Sequence, residues 1–305
     1  KVSVKVPATS ANLGPGFDCL GLALPIYNTI TIEETVLPGT GIEINLMSEE
    51  EVIDEMIFDN IPKDENNIVY KAVEMLYNSI GQEPSELKIN IQSQIPITRG
   101  LGSSAAVIVG GLIAANKLLG SPADETALLS IATEVEGHPD NVAPAIFGQA
   151  TACFMEKEDV KMSLVPCADY HCLAIVPCYE VKTSQARKVL PTKMAFKDCV
   201  SQVSHALVFI QALQQGDESL LASSCKDLLH EPYRRQFIKE YDRIKTYCEQ
   251  KQLPMWISGS GSTMMVVSLE KKRLIELSKF IDENLNGLDN RCLTIAKKGA
   301  FIKYE

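Results

Sequence analysis

Apolar and polar positions along the chain change period several times, and each change marks an element. Residues 2–7 alternate, with Val2, Val4 and Val6 set against Ser3 and Lys5, and predict a strand that empties into a small, polar, glycine-rich loop. Further strands are expected over 22–27, 29–35 and 42–46, followed by an acidic, poorly patterned stretch at 48–59. Ile68, Val69, Ala72, Val73, Leu76 and Ile80 then recur at helical spacing, with Gly81 as the stop. A strand over 87–91 comes next, and Pro96 leads into a glycine-rich bend. Residues 104–119 are small and apolar with Gly110 and Gly111 in their middle, which predicts a buried helix approached closely by its neighbours. Ser121 as N-cap, Pro122 at the first position and Asp124 at the third open another helix, which stops at Gly137.

Charged residues at 156–159 are the expected junction between two domains, 1–157 and 158–305. Beyond them the pattern predicts a strand over 173–177, a loop carrying Thr183 and Arg187, and helices near 197–215, 218–229 and 235–250. A glycine-serine loop at 258–263, a strand over 264–268, a helix over 271–284 and two closing strands complete the chain. No internal repeat interrupts this order, and the pattern as a whole reads as mixed helices and mostly antiparallel strands.

Composition narrows the classes of function. A chain of 305 residues, 46% hydrophobic and 22% charged, can bury a core large enough for two domains and is not disordered. Its net charge of -10 argues against a nucleic-acid partner, which needs a basic face. An anionic substrate would instead be met by locally placed Arg and Lys. The longest apolar window, 105–119, contains Asn116 and Lys117 and is too short to span a bilayer, so no membrane association is expected. The first residues have no signal-peptide core, and a cytoplasmic location is the expectation. Nine cysteines, an odd number without zinc-knuckle spacing, read as reduced structural thiols, and the four histidines form no zinc-binding pair on a helix.

Chemistry concentrates in three loops. Pro96-Ile97-Thr98-Arg99-Gly100-Leu101-Gly102-Ser103-Ser104-Ala105-Ala106 combines glycines that admit an anion to the backbone with a helix start that would aim free N–H groups at it. A tight turn with Ser103 or Ser104 as N-cap would have the same local sequence. It is no Walker A loop, because no Gly-Lys-Ser/Thr occurs, and no dinucleotide fingerprint, because position 105 is alanine. The loop from Ala8 to Asp18 offers Asn12 and Asp18 as ligand-reaching groups or as Asx-turn formers. Gly137-His138-Pro139-Asp140-Asn141 places an imidazole, a carboxylate and a carboxamide within four residues, with Glu134 near enough upstream to converge on the same cleft.

Those loops, together with Ser258-Gly259-Ser260-Gly261-Ser262-Thr263, resemble the three motifs of the GHMP kinases, in that family's order and across essentially the whole chain. Four stretches resemble the homoserine kinase subgroup: residues 10–18, residues 136–144, Thr183-Ser184-Gln185-Ala186-Arg187 and Glu231-Pro232-Tyr233-Arg234. The third motif departs from the common pattern by Ser262 in place of proline. The resemblance implies an α+β fold of two domains. The amino-terminal one would be like domain 2 of ribosomal protein S5, and the carboxy-terminal one a ferredoxin-like sandwich. It also implies ATP-dependent phosphorylation of the L-homoserine side-chain hydroxyl, with Mg²⁺ as cofactor.

By the same resemblance the 96–106 stretch binds the ATP phosphates, Ser104 (or Ser103) and Glu134 hold Mg²⁺, and Asp18 takes the substrate amine. Arg187 and Arg234 take its carboxylate, and Asn12, His138, Asn141 and Thr183 line its pocket. Arg234 beside Arg235 also suits a solvated helix face. Asn67 either faces the adenine or caps the helix that follows it. Asp140 is expected to orient the substrate first and to act as a base second. A homodimer is the expected assembly. Mevalonate and cytidyl-erythritol kinases, a decarboxylating relative and a non-catalytic binding module are the competing readings.

Overall fold

The computed structural model describes residues 1–35, 42–48, 61–84, 86–157 and 159–303, so most of the acidic stretch at 48–59 lies outside the described residues. Among these residues the strands form two sheets. The larger contains β1 (Val2–Ala11), β2 (Leu20–Glu34), β3 (Ile42–Ser48) and β4 (Leu87–Ser93), joined by β5 (Ala150–Glu156), β6 (Asp159–Val165) and the last strand β11 (Phe301–Lys303). Its main path runs β11-β1-β2-β4-β3, with β5 on the opening residues of β2 and β6 outside β5. Every pair is antiparallel except β3 with β4.

Two strands were expected where β2 runs unbroken for 15 residues. Asn28, which looks like punctuation, is fully buried and accepts the backbone N–H groups of Gln94 and Ile95 at 2.9 and 3.0 Å. The polar side chain thus closes the end of β4 without interrupting β2.

Helices α1 (Ile68–Ser79), α2 (Ser103–Leu118), α3 (Glu125–Glu136) and α4 (Pro139–Phe147) share the core of this sheet. Helix α2 is buried as its composition predicts. Helix α3 begins later than expected, because the capping oxygen is that of Asp124, which accepts Ala127 N–H at 2.8 Å.

The smaller sheet contains β7 (His171–Pro177), β8 (Met255–Ile257), β9 (Met264–Ser268) and β10 (Leu288–Thr294), all antiparallel in the order β10-β7-β9-β8. Counted by appearance that order is 4-1-3-2 with helices in both crossovers, the ferredoxin-like arrangement. Helices α5 (Thr183–Lys188), α6 (Phe196–Gln215), α7 (Glu218–Ser224), α8 (Glu231–Arg234) and α9 (Tyr241–Gln250) fill the first crossover, and α10 (Lys271–Asn284) the second. Leu274, Leu277 and Ile281 of α10 and Ile244 and Cys248 of α9 pack with β7, β8 and β9 in a separate small core.

The expected division at 157/158 does not follow the sheets. Glu156 pairs with Asp159 inside the β5–β6 hairpin, so residues up to Val165 stay in the larger sheet. The chain end also returns there, with Ile302 opposite Val4. The expected 235–250 helix starts only at Tyr241, since α8 and a 3₁₀ turn at Arg235–Phe237 precede it. All nine cysteines are free thiols.

Candidate active site

A cleft of about 310 Å³ is lined from both halves of the chain: by Asn12 and Asp18, by the 97–104 stretch, by Glu136, His138, Asp140 and Asn141, and by Thr183, Arg187, Arg234, Gly259 and Ser260. One end is the start of α2. Gly102 holds the N-cap in the left-handed region (φ 68°), and a Cβ there would fall 1.9 Å from Thr9 Oγ1. The first helical bond runs from Ala106 N–H to Gly102 O, which leaves the earlier N–H groups of the 16-residue helix for a ligand. Ile97, Thr98, Gly100, Gly102, Ser103 and Ser104 line this end. Pro96, Arg99, Leu101, Ala105 and Ala106 are not on its lining. Ala105, Ala106 and Leu101 are core residues, and the Arg99 guanidinium turns away to donate to Cys178 O at 2.9 Å. Of the residues expected to cradle phosphate, Arg99 is therefore corrected to a strut.

Helix α4 replaces the loop expected at 137–144. His138 is its N-cap and Pro139 its first residue, where the missing N–H costs nothing. Pro144 inside the helix cannot donate to Asp140 O, and that carbonyl is instead pressed against β2, where a Cβ on Gly21 would lie 1.7 Å from it. The helix thereby lies close on the sheet and carries Asp140 and Asn141 into the cleft. Asp140 Oδ1 is 2.6 Å from His138 Nδ1 and 3.5 Å from Asn141 Nδ2, and Asn141 Oδ1 accepts Thr9 Oγ1–H at 2.8 Å. Burial of His138 opposes its charged form, but the bond to and charge of Asp140, with Glu136 and Asp18 behind, outweigh it and raise the imidazole pKa.

Glu134 does not reach the cleft. It is exposed on α3, half a turn of helix from the face that meets α2. Glu136, in the last helical position, accepts the Ser104 hydroxyl at 2.8 Å. Burial raises the Glu136 pKa more than the Ser104 bond lowers it, so a cation beside this carboxylate would be welcome. A hydroxyl and a carboxylate in contact are hard oxygen donors of the kind that would hold Mg²⁺. No group of three or more His, Cys, Asp or Glu able to hold a metal by itself exists among the described residues.

The other end of the cleft is organised by charge. Arg187 donates twice to Asp18, Nη1 to Oδ2 at 3.0 Å and Nη2 to Oδ1 at 2.9 Å. The loop expected around it is the short helix α5. Arg234, 2% exposed, donates to two carbonyls among the described residues, Nε to Ala186 O at 3.2 Å and Nη1 to Gly259 O at 2.9 Å. Burial, then the charge of Arg187, depress its pKa to about 10. A buried guanidinium with neutral partners is a place for an anion. Asn12 holds the first loop to the third: its Oδ1 accepts Asp18 N–H at 3.1 Å and its Nδ2 donates to the same Gly259 O at 2.8 Å. Thr183 Oγ1 is 3.3 Å from Ser260 Oγ, which braces α5 against the third loop.

Asn67 lines the cleft wall beside the apolar Leu46, Ile68, Val69, Ile91 and Val107. Its Oδ1 caps α1 through Val69 N–H at 2.9 Å and its Nδ2 donates to Pro62 O at 2.6 Å, so capping, not base contact, occupies its polar atoms. Sequence reasoning passed over Glu136, although Gly137 marks where the helix ends and so which carboxylate is nearest. It also passed over Thr9, Phe17 and His230, whose parts depend on long-range packing.

Residues 67–149 match the family model described as GHMP kinases N terminal domain. The homoserine kinase of Clostridium botulinum (strain Langeland) is 41% identical over 307 residues, 99% of this chain and 98% of that protein. The homoserine kinase of Caldicellulosiruptor saccharolyticus is 39% identical over 268 residues, 87% and 83% of the two chains. The crystal structure of homoserine kinase from Cytophaga hutchinsonii superimposes with a TM-score of 0.87 at 28% identity, covering 99% of this chain and 97% of that one. The L. major mevalonate kinase structure gives 0.71 at 14% identity over 95% and 94%, a likeness of fold alone.

Proposed function

The chain belongs to the GHMP kinases and, within them, to the homoserine kinases, and on that premise we propose that its cleft transfers the γ-phosphoryl group of ATP to the side-chain hydroxyl of L-homoserine. The products are ADP and O-phospho-L-homoserine, a step that serves threonine synthesis. One observation carries the assignment of ends: the cleft has free helix N–H groups at one end and a carboxylate with two guanidinium groups at the other.

The ATP phosphates belong on the N–H groups at the start of α2, with the base toward the apolar wall. Ser104 and Glu136 would hold Mg²⁺, which when bound neutralises charge on the β- and γ-phosphates. Homoserine carries an ammonium and a carboxylate, and the Asp18–Arg187 pair is their mirror. Its ammonium takes Asp18, and its carboxylate takes Arg187 and Arg234, so charges are exchanged one for one. Fixed at that end, the hydroxyl extends toward Asp140. Both bonds of Asp140 fall on Oδ1, which leaves Oδ2 for the hydroxyl. The hydroxyl oxygen forms the new bond to phosphorus as the bond to the ADP oxygen breaks, and its proton passes late to the transferred phosphoryl group, with Asp140 orienting it.

Release of ADP with L-homoserine as acceptor, set against L-serine, L-threonine and mevalonate, tests this assignment. Turnover preferred with mevalonate would overturn it.

For assembly, the homodimer reading is supported by the outer face of α6. Phe196, Val200, Val203 and Leu207 are 84, 55, 59 and 64% exposed at spacings of four, three and four residues. The stripe is about 16 Å long at 1.5 Å per residue, bears no charge, and can meet its own copy antiparallel across a two-fold axis. Light scattering on the protein and on Val203→Glu checks it, a monomer in both cases being the contrary result.

A further inference from the structure

Phe17 lies between Gly16 and Asp18 in the first glycine loop, and its ring brings no ionisable or hydrogen-bonding group to the cleft. Three groups border its half-buried ring. The His230 imidazole stacks on it with centroids 5.1 Å apart and planes 24° off parallel. The guanidinium carbons of Arg234 and Arg187 lie 5.1 and 5.8 Å from the ring centroid. Two like charges gathered this close oppose each other, and the electron-rich face of an aromatic ring offsets that opposition while fixing where each guanidinium sits.

His230 serves as a neutral plate behind the ring. It is wholly buried, and burial, outweighing the carboxylates of Asp227 and Glu231, keeps its pKa below the ordinary value. Asp227, 3.8 Å from the imidazole, is already taken up by the backbone N–H groups of His230 and Glu231 at 2.7 and 2.8 Å. The ring therefore has a rigid uncharged backing on one side and cations elsewhere.

The need for such a ring arises when substrate binds. Arg187 is held by Asp18 in the free protein. Once a substrate ammonium competes for Asp18, the contact with Phe17 is what remains to keep Arg187 beside Arg234. We propose that Phe17 is a positioning residue for substrate specificity, whose ring spaces the Arg187 and Arg234 guanidinium groups so that both face the carboxylate of an amino-acid substrate. The inference rests on the homoserine assignment above and adds to it the residue that makes two arginines act on one carboxylate.

Steady-state kinetics of the full chain and of Phe17→Leu, Phe17→Tyr and Phe17→Trp test it. Leucine keeps the apolar bulk and removes the ring, and two weakened cation–π contacts correspond to about a tenfold rise in the KM for L-homoserine. The KM for ATP and kcat should stay within about twofold, and at least one of the aromatic variants should restore the homoserine KM. As a competitive inhibitor, 3-aminopropan-1-ol, which has the amine and hydroxyl but no carboxylate, should bind Phe17→Leu and the unaltered protein equally. An unchanged homoserine KM in Phe17→Leu, a matching loss for the carboxylate-free inhibitor, or a parallel rise in the ATP KM would overturn the proposal. Absence of turnover by the unaltered protein with homoserine would instead overturn the assignment on which it rests.

Discussion

Arg234→Met is expected to stabilise the unliganded protein while removing most of its ability to use homoserine. The Arg234 guanidinium is 2% exposed, and its hydrogen bonds go to Ala186 O and Gly259 O rather than to a carboxylate. Burial and the neighbouring Arg187 lower its pKa from 12.5 to about 10, which corresponds to a cost on the order of 3 kcal/mol for keeping it charged in the folded state. The folded protein holds this proton less tightly than the unfolded chain. The cost is therefore fully present below pH 10 and is relieved only as pH rises from about 10 toward 12.5. Methionine fills similar space without charge. It leaves Ala186 O without its partner and removes the ring contact with Phe17, together about 2 kcal/mol lost. Gly259 O keeps Asn12. The net gain of about 1 kcal/mol should raise the melting temperature by about 2 °C in a chain of this size. The KM for homoserine should rise about a hundredfold, the worth of a charge-assisted bond to its carboxylate. Calorimetry and steady-state kinetics on the same preparation read both effects. A melting temperature lower by several degrees with an unchanged KM would mean that Arg234 is a structural strut, and the reasoning would fail.

Glu136→Gln should lower kcat/KM by about a hundredfold and raise the Mg²⁺ needed for half-maximal rate, whereas Glu134→Gln should stay within about twofold; equal effects would refute the choice between them. Burial raises the Glu136 pKa, so its ionised form costs stability above that pKa and nothing below the ordinary value of 4.5. Thermal melts should accordingly find Glu136→Gln more stable than the parent at pH 8 and no more stable below pH 4.5. The raised His138 pKa has the opposite sign: its stabilisation is complete below the ordinary 6.5 and is lost as pH rises through the folded value. In urea, His138→Asn should therefore be destabilised more at pH 6 than at pH 9. Gly21→Ala would press a methyl to within 1.7 Å of Asp140 O, and about 3 kcal/mol of lost stability with about tenfold slower turnover is expected, measured by melting and by ADP release.

Most of this fold and much of the cleft were legible in the sequence, and the failures share a cause. Helical spacing found α1 because burial on one face leaves a local trace, and an unbroken run of small apolar residues found the buried α2. Helix α4 was missed because its signals are two prolines, which read locally as a loop; the first suits a helix start and the second is excused by a carbonyl that β2 accommodates at Gly21. The strands β5, β6 and β8 were missed because pairing partners, not their own patterns, make them strands. Among site residues, the glycine-rich loops announced themselves by composition. The choice of Glu136 over Glu134 needed the phase of α3 relative to Ser104, and the displacement of Arg99 needed a carbonyl nearly eighty residues away, Cys178 O.

The two ends of the cleft are held in register by one short loop. Ser258 Oγ lies 2.8 Å from Ser10 Oγ and 2.6 Å from Gly100 O, and Thr263 N–H donates to Arg99 O, so this loop grips the glycine-rich stretch that leads into α2. The next carbonyl, that of Gly259, receives both Arg234 and Asn12 and so grips the end of the cleft that carries Asp18 and Arg187. Behind it, Trp256 Nε1 donates to Ser10 Oγ at 3.0 Å, tying β8 of the smaller sheet to β1 of the larger. Phosphoryl transfer depends on the distance between nucleophile and phosphorus more than on any group that exchanges a proton, and a misplacement of one ångström is enough to cost about a hundredfold. Gly259 and Ser260 of the third motif line the cleft. Through its bonds the motif sets the separation of the start of α2 from the Asp18–Arg187 pair on the first loop and α5. It also does so from a backbone carbonyl and a buried serine, groups that no change in pH can release.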